Sequence, residues 1–423
     1  MEKKYLPRLV DEKVEKYIKN FGAICIEGPK WCGKTWTSMH HSKSRFFLGD
    51  PVGNFQNRNL AKLSPSMILE GETPRLIDEW QEVPELWDAV RFEVDQRAEK
   101  GQFILTGSST PEQKGTLHSG AGRIATLRMR PMTLFESQDS SGEISLQDIC
   151  GQKFTSKMFA QPTLDELVYY IIRGGWPAAL TLPKEDAALL PKEYLQAVIN
   201  HDIYRLEGIN RDTKKMHMLL RSLARNESTT ASLRTLKKDI EESDDVEIEI
   251  QTISNYLSVF ERLFLIENQP AFSSNIRSSV RIKQAEKRHF VDPSLACALL
   301  NADRHTLIND LNTLGFLFES LCIRDLRIYA ETFGAKLFHY QDYKGKEMDC
   351  VLELEDGNWV AVEIKLGANQ IDEAAKNLLA IQKEMQKDNA KAPAVLCVVC
   401  GLSNAAYLRE DGVYVVPITA LRN

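Results

Sequence analysis

Eight consecutive residues carry the clearest chemistry in this chain. Gly28-Pro29-Lys30-Trp31-Cys32-Gly33-Lys34-Thr35 fits the pattern G-x-x-x-x-G-K-[ST] in full. The glycines let backbone N–H groups turn inward around phosphate oxygens, and a helix that starts at the loop points its positive end at them. Lys34 would reach the β- and γ-phosphates as a mobile charge, and Thr35 would offer its hydroxyl to Mg²⁺. Trp36 continues into the helix and completes the candidate nucleotide-binding set. The plainer alternative is a glycine turn with no nucleotide. The apolar run before the loop (Gly22-Ala-Ile-Cys-Ile-Glu27) and the helix-compatible run after it weigh against that. No Asn-Lys-x-Asp guanine reader follows, so the nucleotide expected is ATP.

Such a loop needs an acidic partner on a neighbouring strand, and Pro74-Arg-Leu-Ile-Asp78-Glu79 supplies one. Asp78 would hold Mg²⁺ through water, beside the Thr35 hydroxyl. Glu79 would orient the attacking water and take its proton. Ile104-Leu-Thr106-Gly-Ser108 ends another apolar run in the same sense. Thr106 and Ser108 there could touch the γ-phosphate or the water, or simply close a turn. Arg123, in Ser119-Gly-Ala-Gly-Arg123, is a candidate stabiliser of transition-state charge, in cis or on a neighbour; its alternative is a surface arginine.

A second constellation lies far downstream. Glu363 and Lys365 are two apart on an expected strand, so their side chains share a face. A hairpin of this length can bring Asp349 beside Glu363, and Glu319 on the preceding helix could join them. Carboxylates so placed can bind Mg²⁺, with Lys365 stabilising charge or activating water. A salt-bridged solvent face has the same spacing.

Alternating strands and helices must position these groups. Helix is expected at 11–20 and 84–99, and strand at 22–27, 44–50, 75–78 and 102–106. That pattern makes a parallel sheet with its ligand at the carboxyl ends of the strands. Residues 138–160 are polar and read as an exposed connection. Helices at 213–224, 230–241 and 249–264, then strands and turns over 270–290, resemble a winged helix-turn-helix. A smaller α/β unit follows, with a helix at 307–328, strands at 335–340, 347–354 and 358–365, a helix at 370–387, and strands at 393–400 and 412–416.

The net charge of −6 over 423 residues argues against a polyanion binder coated in positive charge. The eight cysteines are scattered among apolar neighbours and read as buried free thiols, Cys397 and Cys400 included. There is no signal region, and no run approaches the ~18 apolar residues of a membrane span. The expected location is the cytoplasm, with no membrane partner. DNA is a candidate partner through Gln251, Thr252, Ser254, Asn255, Ser258 and Arg262, or through Arg277, Arg281, Lys283, Lys287 and Arg288. The acidic run from Asp239 to Glu249 would repel phosphate.

Taken together, these motifs resemble the prokaryotic AAA-type ATPases that carry a C-terminal domain of unknown function with a nuclease-like fold. The marks are Tyr5-Leu-Pro-Arg8, the Gly28–Thr35 loop, Asp78-Glu79-Trp-Gln81 with Val83-Pro84, and Leu105-Thr-Gly-Ser-Ser109. Further on come Gly122-Arg123, Arg130-Pro131, Arg173-Gly-Gly-Trp-Pro177, His201-Asp202-Ile203, Phe318-Glu319, Met348-Asp349 and Glu363-Ile-Lys365. Lys30-Trp31-Cys32 departs from the Arg-Gln-Val of many relatives, at positions that contribute backbone more than side chain. The resemblance implies an α/β protein. Its parts would be an AAA-like P-loop NTPase core (1–140), a helical linker or lid (141–210), a winged-helix module (211–285) and a restriction-endonuclease-like α/β domain (286–423). It implies Mg²⁺-dependent ATP hydrolysis coupled to the C-terminal modules. Two alternatives stay open: an ATP-regulated metal-dependent nuclease at Glu319, Asp349, Glu363 and Lys365, or a nucleotide-sensing DNA-binding or scaffold protein with weak turnover. A homo-oligomer or another protein partner is compatible with each.

Overall fold

The computed structural model describes residues 5–109, 118–203, 212–244, 247–275, 277–342, 345–387 and 390–423, less the side chains of Asn54, His201, Asp202, Ser243, Asp244 and Ile282. The side chains of His201 and Asp202 and part of the acidic run therefore lie outside what is described. The chain forms two compact units. One comprises Met1–Pro131 with His201–Asn210 and Ser258–Leu265; the other comprises Met132–Asn200, Arg211–Leu257 and Ile266–Asn423.

The first unit is built on five parallel strands: β1 (Ala23–Glu27), β2 (Ser44–Phe47), β3 (Arg75–Asp78), β4 (Phe103–Gly107) and β5 (Ile124–Arg128), in the order β2-β3-β4-β1-β5. The near-continuous apolar runs of β1 and β4 suit strands covered on both faces. On one face Cys25, Ile77 and Leu105 pack with Leu86, Val90 and Val94 of helix α5 (Leu86–Arg97). On the other, Ile24, Ile26, Leu76 and Ile104 pack with Val14 of α1 (Asp11–Asn20). Helices α2 (Lys34–His40), α3 (Val52–Leu63) and α4 (Pro65–Leu69) complete the unit. Ala23 pairs with both Phe103 and Ile124, and Glu27 with both Gly107 and Arg128. All strands thus end at one edge, where Glu27, Asp78 and Gly107 gather. Strand β5 was not expected from the sequence.

The second unit centres on a seven-stranded mixed sheet, ordered β7-β12-β13-β11-β10-β9-β8. Its strands are β7 (Lys157–Met158), β8 (Lys336–Gln341), β9 (Glu347–Glu353), β10 (Trp359–Gly367), β11 (Val395–Leu402), β12 (Ala405–Leu408) and β13 (Val413–Pro417). Ala374, Leu378 and Ile381 of the helix at Ile371–Lys387 pack on Ala361, Val398 and Val415 of this sheet. The preceding helix, Leu311–Thr332, is buried along most of its length. Its expected start at 307 is corrected, because Asp310 caps a new helix by accepting from the Thr313 N–H at 3.1 Å.

Two further expectations are corrected here. Residues 138–160 are not an exposed connection. Ile144–Ser145 (β6) pairs in parallel with Leu421–Arg422 (β14), β7 pairs with β12, and Ile144, Leu146 and Ile149 are buried. The apolar residues among the polar ones decide the fate of this segment. The basic stretch 277–288 is not a free cationic strip either. Arg281 is ion-paired to Glu353 at 2.7 Å, Lys287 to Glu319 at 2.6 Å, and Arg288 donates to the Ala231 carbonyl; of the five cations, Arg277 and Lys283 are the exposed ones. In place of wing strands, 270–290 holds a short helix at Val280–Lys283, with isolated bridges joining Gln269 to Lys287 and Ile266 to Phe290.

Candidate active site

The glycine loop links β1 to α2 at the carboxyl edge of the first sheet. Gly28 fits because its backbone runs against β5's exit: a Cβ there would meet the Met129 carbonyl oxygen at 2.0 Å. Gly33, just before α2, holds φ +106°, a region that side chains avoid. Trp31 holds φ +65° within the loop and is exposed, as is Trp36. Cys32 turns inward instead, with its Sγ donating to the Met129 carbonyl at 3.8 Å. Pro29 is buried and Lys30 half-buried. Lys34 is buried, and its Nζ donates to the Pro29 carbonyl at 2.8 Å, so the ammonium lies over the loop itself.

Arg8 braces this loop from behind. Its guanidinium donates to the Cys32 carbonyl at 2.7 Å and to the Arg130 carbonyl at 2.9 Å. Tyr5 stacks on His40 with centroids 4.2 Å apart and donates to Asp11 at 2.6 Å. The Tyr5-Leu-Pro-Arg8 motif therefore ties the segment ahead of α1 to the loop and to α2. No role for Arg8 followed from the sequence, since its partners are backbone carbonyls brought together by the fold.

Strand β3 delivers the acids. Asp78 Oδ1 accepts from the Thr35 hydroxyl at 2.9 Å and from the Thr106 hydroxyl at 2.7 Å. Burial pushes the Asp78 carboxyl above its ordinary value, against the pull of these two donors. Glu79 leaves the strand in the left-handed region, φ 58°, and its N–H donates to Thr106 Oγ1 at 2.9 Å. Its carboxylate Oε2 accepts from Ser108 Oγ at 2.7 Å and from the Gln81 side-chain amide, which also donates to Ser108 at 3.1 Å. Lys34, Thr35, Asp78, Glu79, Thr106 and Ser108 thus converge, as the residue types suggested. Gln81 joins them and was noted in the sequence only as part of a signature. Trp80 between them is buried and packs on Trp87, 4.8 Å between centroids, which anchors the turn.

Arg123 does not join this site in its own chain. It precedes β5 and lies at the opposite, amino-terminal edge of the sheet, where its carbonyl accepts from the Ala23 N–H and its Nε donates to Asp95 at 2.9 Å. The glycine spacing that singled it out records a turn; Arg123 accepts a place one strand-length from the loop.

The second constellation also assembles, within the second unit. Pairing of Val362 with Cys350 sets Asp349 beside Glu363. Lys365 Nζ lies 2.7 Å from Glu363 and 3.4 Å from Asp349, and the Ile364 N–H donates to Asp349 at 2.8 Å. Asn377 donates to Glu363 at 2.7 Å. Glu319 faces the group through a residue outside the motif, Lys287, whose Nζ lies 2.6 Å from Glu319 and 3.6 Å from Asp349. Burial, then the charge of Asp349, pushes Glu363 up to about 8; burial pushes Glu319 up to about 8 against the attraction of Lys287. Burial disfavours the charge on Asp349 too, but Lys287 and Lys365 outweigh it and hold that carboxyl below its usual range. The Lys287 ammonium lies between Glu319 and Asp349, in the place an ion joining those two carboxylates would take. Among the described residues, no three His, Cys, Asp or Glu side chains are placed to hold a metal together.

A parallel sheet with this loop at its carboxyl edge, faced by an Asp-Glu pair, is the arrangement of a P-loop nucleotide-binding domain. Residues 20–138 match the family described as AAA domain. Residues 164–306 and 314–421 match two domains of unknown function, DUF8612 and DUF4143. The uncharacterized proteins Mb2031c of Mycobacterium bovis and Rv2008c of Mycobacterium tuberculosis are each 22% identical over 359 residues, covering 84% of this chain and 72% of theirs. Among solved structures, the Walker-type ATPase paby2304 of Pyrococcus abyssi superposes with a TM-score of 0.40 and 12% identity, over 69% of this chain and 94% of that one. No helix among the described residues is long and apolar enough to cross a membrane.

Proposed function

We propose that this protein hydrolyses ATP, with Mg²⁺, at the Gly28–Thr35 loop. The observation that carries the reading is the unbroken chain of hydrogen bonds from Thr35 through Asp78 and Thr106 to Glu79, Ser108 and Gln81. Lys34 and the loop amides bind the phosphates. Thr35 and Asp78 are the residues that would hold Mg²⁺. Their shared hydrogen bond and the Gly28 contact, which admits no side chain, fit a metal-triphosphate better than a mere turn. When bound, Mg²⁺ draws off charge that builds on the phosphate oxygens. Glu79 takes the proton of the attacking water, and Ser108 and Gln81 orient its carboxylate.

Mg²⁺-dependent release of phosphate tests this. Lys34→Ala is expected to lose both nucleotide binding and turnover, and Glu79→Gln to bind ATP yet hydrolyse it at least about a hundredfold more slowly, the usual scale for general-base loss. Turnover retained in both variants refutes the proposal. Arg281, Lys287 and Arg288 are already engaged by partners inside the second unit, so the proposed reaction does not draw on a nucleic acid held by these cations.

A further inference from the structure

We propose that Lys287 is the built-in cation of the Glu319–Asp349–Glu363 cluster and keeps divalent metal ions out of it. The proposal is independent of the nucleotide site. Lys287 lies in the region 164–306, whereas all three carboxylates lie in 314–421, so one matched segment inserts a charge into the other.

The backbone fixes that insertion. Lys287 and Gln269 exchange N–H···O bonds at 2.9 Å in both directions, and the Arg288 N–H donates to the Thr229 carbonyl at 2.7 Å. The Gln269 side-chain amide then donates to the backbone carbonyls of Asp349, at 2.9 Å, and Phe338, at 2.8 Å. The residue paired with Lys287 thus also grips the strand that carries Asp349, so ammonium and carboxylate are held in register by one set of bonds. The Lys287 side chain is 5% exposed, against 27% for Lys365. Lys365 lies at the accessible margin of the cluster, and Lys287 lies inside it.

A lone ammonium at that depth would be costly; two carboxylates within reach make it stable. Burial works against its charge, and Glu319 and Asp349 more than compensate. A metal ion joining Glu319 to Asp349 needs the place where Nζ now is, with oxygens at about 2.0–2.6 Å. A dication and a buried ammonium cannot share it, because like charges repel strongly where water is excluded. The spacing Asp349…Glu363-x-Lys365 is that of a metal site, but its cation is covalent.

The test is Mn²⁺ binding to the full-length, nucleotide-free chain, read from the electron paramagnetic resonance signal of free Mn²⁺. The wild type is expected to retain no Mn²⁺ at this cluster. Lys287→Met keeps the stem and removes the charge. It should bind one Mn²⁺ at least about tenfold more tightly, equal to about 1.4 kcal/mol, and Asp349→Asn in that background should abolish the binding. Lys287→Gln, which can still donate to Glu319, should behave likewise, and Lys287→Arg should keep the metal out. Wild-type binding as tight as that of Lys287→Met, and sensitive to Asp349→Asn, overturns the proposal. So does a folded Lys287→Met or Lys287→Gln protein that takes up no Mn²⁺, since protons alone would then make good the missing charge. The wild type gives a further check if both variants unfold: Lys287 must resist reductive methylation with and without millimolar Mn²⁺, and metal-dependent labelling of Lys287 overturns the proposal.

Discussion

Replacing Thr106 by valine keeps the volume and β-branched shape that β4 requires and removes a single hydroxyl. That hydroxyl is fully buried; it donates to Asp78 Oδ1 at 2.7 Å and accepts from the Glu79 N–H at 2.9 Å. A hydrogen bond to a charged group contributes about 1.5–3 kcal/mol, and a buried donor left unsatisfied costs about 1–3 kcal/mol. The two losses share one atom and will not add fully, so about 2–4 kcal/mol is expected. Asp78 keeps its Thr35 donor, which limits the damage on that side. Among the described residues, the Glu79 amide has no such reserve. Its hydrogen exchange, followed by mass spectrometry, should accelerate by about 30- to 1000-fold, the equivalent of that range at 1.36 kcal/mol per decade. Thr106→Ser should recover most of the protection, and ATP turnover should fall with Thr106→Val and return with Thr106→Ser. An unchanged exchange rate at Glu79 in Thr106→Val would refute the reasoning, because no hydroxyl bridge could then be holding the left-handed turn.

Three other outcomes are expected. Gly28→Ala should abolish binding of a fluorescent ATP analogue, since its methyl group would sit 2.0 Å from the Met129 oxygen; binding within about twofold of wild type, under ~0.5 kcal/mol, would contradict the close approach. Ser108→Ala removes a donor to the Glu79 carboxylate, so kcat should drop by about tenfold, or ~1.4 kcal/mol, with little change in KM for ATP. The third concerns Glu227, which is buried and pushed up to about 8 by desolvation, although Ser320 and the Phe290 N–H donate to it. The native state therefore holds a proton that the unfolded chain, near pH 4.5, has already released. This contribution to stability is complete below the unfolded value and fades as pH rises through about 8. Glu227→Gln should gain on the wild type in urea unfolding as pH rises from about 5.5, just above the ordinary carboxyl range, to about 8.5; a constant difference would count against the shift.

Much of the first unit was legible because its signals are local. The loop reads from glycines and a lysine at fixed offsets, and β3 and β4 read from short apolar runs that end in Asp78 and Thr106. Strand β5 was missed because Thr126 and Arg128 break up the apolar residues of Ile-Ala-Thr-Leu-Arg, and the strand is specified by pairing with β1. The Asp349, Glu363 and Lys365 triad was readable from period two along neighbouring strands. Lys287 was not, because its sequence neighbours read as a basic surface strip and only the bridge to Gln269 turns it inward. For Arg123 the structure answers only the cis reading: the glycines around it mark a turn but not the edge of the sheet on which it falls, and a role on a neighbour stays open. The cysteine reading needed only composition and neighbours, and all eight thiols are free. Cys397 and Cys400, three apart on β11, point to opposite faces.

The pairing of Ile144–Ser145 with Leu421–Arg422, and of Lys157–Met158 with Ala405–Leu408, gives the two units different timetables during synthesis. The parallel sheet of the first has all its strands once residue 128 has left the ribosome. The second must keep its earliest strands waiting for partners that emerge more than two hundred residues later, the kind of long loop closure that slows folding and leaves edges unprotected meanwhile. Nascent chains stalled near residue 400 should therefore already display a protease-resistant nucleotide domain while the stretch around 144–158 remains open to cleavage.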